Sequence, residues 1–279
     1  MALVGVGYRR QLARWILSNP PDIHSVEITA EHFFDSGDDI LRTLSAAYPL
    51  YVHGLGLSLG TPGPIDSATL DNFAGVVKIA DPEWISDHVA FTRTDEVDLG
   101  HLNPIQPSIE TLKVIADHAI EISERCNKRL ILENITSHLE LKGELSEPEF
   151  LNRLDEKSGC GLLLDVTNLF INSRNHRFDP RTWLSELDPS NIVQLHVTGY
   201  SLINGVWEDF HAEPIQDDLW ELIYEALDYA PVQVLALERD TNFPDARELE
   251  DELRKLEGAV ANHRSDDGSG TPADRRLPT

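Results

Sequence analysis

The sequence predicts an α/β protein, a (β/α)8 TIM barrel forming a single domain. Eight short apolar runs recur along the chain, amphipathic stretches follow most of them, and the alternation fills about 260 residues, the size such barrels usually have. Residues 1–263 are assigned to this barrel. The tail, 264–279, is rich in Gly, Pro, Ser and Asp, has almost nothing to bury, and is predicted to be disordered.

The apolar runs are residues 3–8, 25–29, 50–55, 84–91, 129–135, 161–168, 192–199 and 232–239. Each has the length and composition of a buried strand. Helical spacing follows at 9–18, which stops before Asn19-Pro20-Pro21, and at 39–47, 67–80, 108–125, 147–157, 217–228 and 246–259. After the sixth strand the signal is mixed, with a helical turn near 169–173 and another near 180–187. A doubly wound open sheet is the alternative, but it would normally need fewer strands. Gly5-Val6-Gly7 lacks the third glycine of a dinucleotide fingerprint and is weak evidence for one.

Composition narrows the function classes. Forty-eight acidic residues against 23 basic ones give a formal net charge of −25. A nucleic-acid groove needs a basic stripe, so this surface argues against one. It suits either a high-salt cytoplasm, where screening removes self-repulsion, or a basic partner. No apolar run approaches the roughly 20 residues that span a bilayer. The N-terminus lacks the charged start and cleavage site of a signal peptide, which predicts a cytoplasmic location. Cys126 and Cys160 form no Cys-x-x-Cys pair, so neither a thiolate metal site nor a disulfide framework is expected.

TIM-barrel chemistry sits at the C-terminal ends of the strands. There the sequence places His53, His88, Glu133-Asn134, Asp165 with Asn168 beyond it, His196, and Glu238-Arg239, with Asp209 and His211 in the loop after the seventh strand. Carboxylates converging there would repel strongly, and an unpaired buried carboxylate costs several kcal/mol. Divalent cations compensate both. Imidazole plus carboxylate without thiolate suits iron, zinc or manganese, whereas calcium and magnesium prefer oxygen alone. Asp209 and His211, two apart in an extended segment, can address one ion. Glu133 and Glu238 are candidate bridges, and Asn134 and Asn168 weak ligands or supporting donors. Glu27, inside the second strand, points either into the barrel core or to its mouth. Arg239 meets either a substrate carboxylate or a loop acid. His24, His32, His101, His118, His138 and His263 read as surface or capping residues.

The segments VEITAEHFF (26–34), YVHGLGLSLG (51–60), ISDHVAF (85–91), LLDVTNLFINSRNHRFDP (163–180), QLHVTGY (194–200), DFHAEPIQDDLWEL (209–222) and LERDTNFP (237–244) resemble the multinuclear non-heme iron-dependent oxidases, the MbnB/TglH-like family formerly called domain of unknown function 692. The resemblance covers nearly all of the chain up to the tail. It implies a TIM barrel holding two or three iron ions that uses dioxygen to oxidise a residue of a ribosomally made peptide, often cysteine and in some cases aspartate. It also implies a partner protein that binds the peptide leader. Carried over, the ligands would be His53, His88, Glu133, Asp165, His196, Asp209, His211 and Glu238, with His176 lining the substrate approach. Related barrels, endonuclease IV and xylose isomerase, run non-redox metal chemistry, so a zinc- or manganese-dependent hydrolase or isomerase is the alternative. None of the lysines stands at a strand's C-terminal end, which weakens the isomerase version. A non-catalytic metal-binding protein is the third reading; the glycines at 54, 56 and 60, which leave the mouth accessible, argue against it.

Overall fold

The eight apolar runs of the sequence all contribute to one closed parallel barrel in the computed structural model, which describes residues 2–94 and 97–263. The tail predicted to be disordered, 264–279, lies outside the described residues. The strands are β1 (Leu3–Gly7), β2 (Ser25–Thr29), β3 (Leu50–His53), β4 (Trp84–His88), β5 (Ala90–Arg93), β6 (Asp98–Pro104), β7 (Arg129–Glu133), β8 (Gly161–Asp165), β9 (Ile192–Val197), β10 (Gly199–Ile203), β11 (Val206–Glu213) and β12 (Val234–Leu237). The barrel runs β1-β2-β3-β4-β7-β8-β9-β12 and closes where Leu3 pairs with Val234 and Val6 with Leu237. The helices are α1 (Ala13–Ile16), α2 (Asp38–Ala47), α3 (Ser67–Ala80), α4 (Ile109–Cys126), α5 (Glu147–Ser158), α6 (Val166–His176), α7 (Pro180–Ser185), α8 (Asp217–Tyr229) and α9 (Ala246–His263). Among the described residues no helix is long and apolar enough to cross a membrane.

Side chains two apart on a strand share a face, so each inward ligand has an inward residue beneath it. Tyr51 lies below His53, Trp84 below Ser86 and His88, Ile131 below Glu133, and Leu163 below Asp165. These four join Val193 and Val234 in a buried cluster distinct from the main core outside the barrel. The plug closes the bottom of the barrel and leaves the polar layer facing the top.

Several boundaries differ from the sequence expectation. The expected fourth and seventh strands are each two elements. Val89 donates its N–H to Glu133 O at 2.8 Å, and the chain then leaves the barrel as the β5–β6 hairpin. β9 stops at Val197, and β10–β11 rises as a second hairpin. Asp209 and His211, expected in a loop, therefore stand on β11. The sixth strand ends at Asp165 rather than at residue 168, because Asp165 caps α6: its Oδ1 accepts from Asn168 N at 2.6 Å. The first eight residues of α6 are all buried, so no amphipathic period marks it as a helix. The helix expected at 9–18 shrinks to Ala13–Ile16, with no side-chain cap, while Arg9 is drawn to the top of the barrel.

Candidate metal centre

All eight ligand candidates gather at the top of the barrel, but not equally. Among the described residues, four groups of three offer ligand atoms within 4.8 Å of one another: His53–His88–Glu133, Glu133–Asp165–His196, Asp165–His211–Glu238 and Glu27–His196–Glu238. Glu133, Asp165, His196 and Glu238 each belong to two groups, so the clusters form one continuous chain.

The spacings are those of ligands around shared ions. Glu133 Oε2 lies 3.5 Å from His53 Nε2, from His88 Nε2 and from His196 Nδ1. Glu238 Oε2 lies 3.3 Å from His196 Nδ1 and 3.6 Å from His211 Nδ1. These separations are long for hydrogen bonds. Donors about 2.1 Å from an ion at tetrahedral angles stand roughly 3.4 Å apart. Glu133 Oε2, Asp165 Oδ2, His196 Nδ1 and His211 Nδ1 are buried without a hydrogen-bond partner among the described residues. Buried polar atoms rarely stay unpaired, so the donor set fits metal ions.

Surrounding contacts aim these atoms. Ser86 Oγ, 2.8 Å from His53 Nδ1, leaves Nε2 for the cluster. Glu27 Oε1, 2.7 Å from His196 Nε2, directs Nδ1 at Glu133 and Glu238. Gln194 braces Glu27, donating from Nε2 to Oε2 at 2.5 Å, and accepts from Trp84 Nε1 at 2.8 Å. This is the carboxylate–histidine arrangement that fixes a ligand's ring. Asn134 exchanges two hydrogen bonds with the Asp165 backbone, at 2.9 and 3.0 Å. Asn168 donates to Asn134 O at 3.1 Å and accepts from Thr136 Oγ1. Asn134 thus holds the Asp165 backbone, and Asn168 braces Asn134.

Burial and mutual charge set the protonation of the ligands. Burial pushes His53 well below its ordinary pKa, and neighbouring His88 and His196 add to that. Burial opposes charge on His88 too, but the Glu133 and Asp87 carboxylates outweigh it and raise it to about 9. Burial is likewise overcome at His196, mainly by Glu238 and Glu27, and at His211, mainly by Asp209 and Glu238; both stand well above the ordinary range. Asp165 is raised well above a usual carboxylate by burial and by Glu133. Burial would raise Glu238 as well, but His196 and His211 hold it well below. Without metal, imidazole protons supply the positive charge that balances the carboxylates.

Asp209 stands apart from the ligand groups, Glu27 takes the core place of the two expected for it, and Arg239 pairs with an acid, on a helix rather than a loop. Asp209 is in none of the four groups; its carboxylate faces His211 Nε2 at 2.9 Å. Glu27 sits inside the barrel, 3% exposed, under His196 rather than at the mouth where it could meet substrate. Arg239 turns outward because its neighbour Glu238 turns inward, and its Nη2 meets Glu252 Oε2 at 2.5 Å, away from the ligands. His176 stands off the cluster, with Nε2 2.7 Å from Ser137 O, in the wall of a side cavity. His118, read as a surface or capping residue, is buried and bonds Leu59 O and Gly63 O at 2.9 and 2.7 Å.

The sequence reading missed Asp240 and Arg9. Asp240 Oδ2 lies 3.4 Å from His211 Nδ1, and Arg9 Nη2 lies 2.5 Å from Asp240 Oδ1 and 3.7 Å from Glu238 Oε1. No local pattern marks either; only barrel closure between β1 and β12 joins them. Gln194 was also missed, although a lone amide two residues before His196 in an apolar strand is a readable sign of an inward polar pair.

This geometry has parallels among known proteins. The structure resembles D-psicose 3-epimerase, crystallised in the presence of D-fructose, with a TM-score of 0.62, 14% identity and coverage of 96% of this chain and 100% of that one. Endonuclease IV from Thermus thermophilus aligns with a TM-score of 0.59 and 14% identity, over 93% and 99% of the two chains. Both likenesses concern the fold alone. The sequence is 31% identical to a UPF0276 protein of Chromobacterium violaceum over 259 residues, 92% of this chain and 94% of that protein. It is 30% identical to a UPF0276 protein of Acaryochloris marina, over 93% and 95% of the two chains. The family model described as RiPP precursor modification enzyme MbnB/TglH/ChrH matches residues 3–261, nearly the whole barrel, and the chain belongs to that family.

Proposed function

We propose that the chain is a multinuclear non-heme iron-dependent oxidase that uses dioxygen to modify a cysteine or aspartate residue of a ribosomally synthesised peptide. The observation that carries this reading is the overlap of the His/carboxylate groups through Glu133, Asp165, His196 and Glu238. A mononuclear hydrolase would need one group; linked groups suit two or three ions. Iron, when bound, supplies the one-electron and dioxygen chemistry that side chains lack.

The chain's own residues hold and expose that centre. His53, His88 and Glu133 would hold one ion, and Asp165, His211 and Glu238 another, with His196 between them. The side chain of His196 is 0% exposed, whereas those of His211 and Asp209 are 19% and 15% exposed. Substrate therefore approaches from the His211 side, while the plug of Tyr51, Trp84, Ile131 and Leu163 keeps water from entering below. Leu202, Ile203 and Phe210 are exposed on the β10–β11 hairpin beside that opening. They suit contact with a partner protein that holds the peptide leader.

Elemental analysis of anaerobically purified protein, with Mössbauer spectroscopy, tests the reading. Two or more irons per chain, partly ferrous and lost in His53→Ala or Glu238→Ala, are expected. Stoichiometric zinc or manganese without iron, and no oxygen uptake after iron reconstitution, would favour a hydrolase or isomerase instead.

A further inference from the structure

A cavity of about 620 Å³ opens beside the ligand cluster, between the segment after β7, the start of α5, and helices α6 and α7. None of the ligand candidates lines it, but three of its lining residues adjoin them in the fold. Val89 follows His88, Ile135 lies just beyond Glu133-Asn134, and Asn172 projects from α6, which Asp165 caps. The volume is that of a ligand site. Its lining is mainly apolar, with Ile105, Ile135, Phe150, Phe178 and Trp183 inside and Leu139 and Leu141 at its edge. The last two are 63% and 40% exposed, apolar surface left in water beside an apolar hollow.

The charges around it are mainly negative, although burial pushes the Glu147 carboxyl up to about 7 and leaves it only partly charged near neutral pH. Glu140, Glu147, Asp179 and Glu186 line the cavity against Lys142 alone among lysines and arginines. None of the four carboxylates has an ion-pair partner among the described residues, although Glu147 accepts from Trp183 Nε1 at 3.1 Å and Asp179 caps α7. An apolar hollow with an acidic rim attracts a group that is greasy and cationic together.

We propose that this cavity holds the substrate peptide by a segment carrying a large apolar side chain next to a lysine or arginine, so that a neighbouring residue is presented to the metal cluster. The proposal rests on the reading of the substrate as a peptide. The apolar side chain fills the hollow between Phe178 and Ile135, and the cationic one meets Glu140 and Glu186.

Fluorescence anisotropy of labelled short peptides with the full chain at near-physiological salt tests it. The probes alternate leucine with lysine, leucine with glutamate, or serine with lysine. The leucine–lysine peptide is expected to bind at least about tenfold more tightly than either control. The double variant Glu140→Lys, Glu186→Lys should abolish that advantage, as should Leu139→Ser with Leu141→Ser. Reversal at Glu121 and Glu156, exposed on α4 and α5, should leave it intact. Equal binding of the serine–lysine peptide, or equal loss on reversal at Glu121 and Glu156, would overturn the proposal in favour of general attraction to an acidic chain. Cavity-dependent binding by a chain that holds no iron would support the cavity and overturn only the oxidase reading. Iron-dependent peptide oxidation with a KM unchanged by the Glu140/Glu186 variant would overturn only the cavity.

Discussion

His196 depends on the Glu27 carboxylate beneath it. With Nε2 donating to Glu27, its ring presents Nδ1 to Glu133 and Glu238. Glu27→Gln keeps the shape but weakens the acceptor. Loss of such a supporting contact typically costs 10- to 100-fold in metal affinity, so chelator competition should show a drop of about tenfold or more. An unchanged affinity would mean that Glu27 is only filler in the barrel. His88 contributes to the pH dependence together with His196 and His211. Its folded pKa, raised to about 9 by Glu133 and Asp87 against the opposing effect of burial, leaves it protonated at neutral pH in the metal-free chain. A metal ion would displace that proton, as it would the protons held by His196 and His211, so apparent affinity should rise with pH through the range up to about 9. Calorimetric titration in buffers of different ionisation enthalpy would count the released protons. Release that is absent at pH 7 would contradict the assignment.

The β10–β11 hairpin delivers His211 to the cluster by an irregularity in its own ladder. Ser201 pairs with Glu208 and Gly199 with Glu213, so residues 209–212 face only Tyr200, and His211 takes a φ of +48°. The hairpin packs closely at its base, where a Cβ on Gly199 would fall 2.2 Å from Pro214 O. Gly199→Ala should displace β11, weaken the ion site that Asp165, His211 and Glu238 would form, and spare the one that His53, His88 and Glu133 would form. Metal analysis should then show a partial loss rather than a complete one. At the other end of the barrel rim, Arg239 ties β12 to α9 through Glu252. Arg239→Met strands that buried acid and should destabilise the chain by about 3–5 kcal/mol, read as a lower urea midpoint with metal content unchanged. The elements also show what the sequence makes legible. Strands with a ligand candidate at their last inward position, such as β3, β7 and β8, are readable because His53, Glu133 or Asp165 interrupts a run of apolar residues, although the expected runs extend two or three residues past them. The hairpins are not, since β5 and β10 begin within two residues of β4 and β9 and merge with them into one run. Nor is the burial of α6, whose solvent-free first turns lack a polar face. Contacts such as Arg9 to Asp240 join residues far apart in sequence and become visible only when the barrel closes.

The whole molecule combines two kinds of like-charge repulsion, and they respond differently to solution conditions. One is diffuse, from a formal charge of −25 spread over the chain; the other is local, from Glu133 and Glu238 around Asp165, whose carboxyl is pushed toward its protonated form by burial and by Glu133. Imidazole protons only partly offset this local repulsion. Salt acts on the first, since the screening length falls from about 10 Å at 0.1 M to about 3 Å at 1 M. Metal would act on the second: an ion that binds the folded chain contributes about 4 kcal/mol when present at a thousand times its dissociation constant. For a chain of this size each kcal/mol moves the thermal midpoint by roughly 2–4 °C, so chelation should lower the midpoint by about 10 °C. Raising salt should raise the midpoint of holo and metal-free protein alike, because surface screening is indifferent to the buried centre. The variant Asp165→Asn separates the two. It removes one buried carboxylate from the cluster and retains a side-chain acceptor that can cap α6. The metal-free variant should therefore match or exceed the metal-free parent in stability, lose most of its response to metal, and keep the full salt response. Calorimetric scans of both proteins, each with and without metal at low and high salt, would test this. A variant that still gains the full metal increment would show that Asp165 is not part of the centre, and one that loses its salt response would show that the acidic surface and the cluster are not independent.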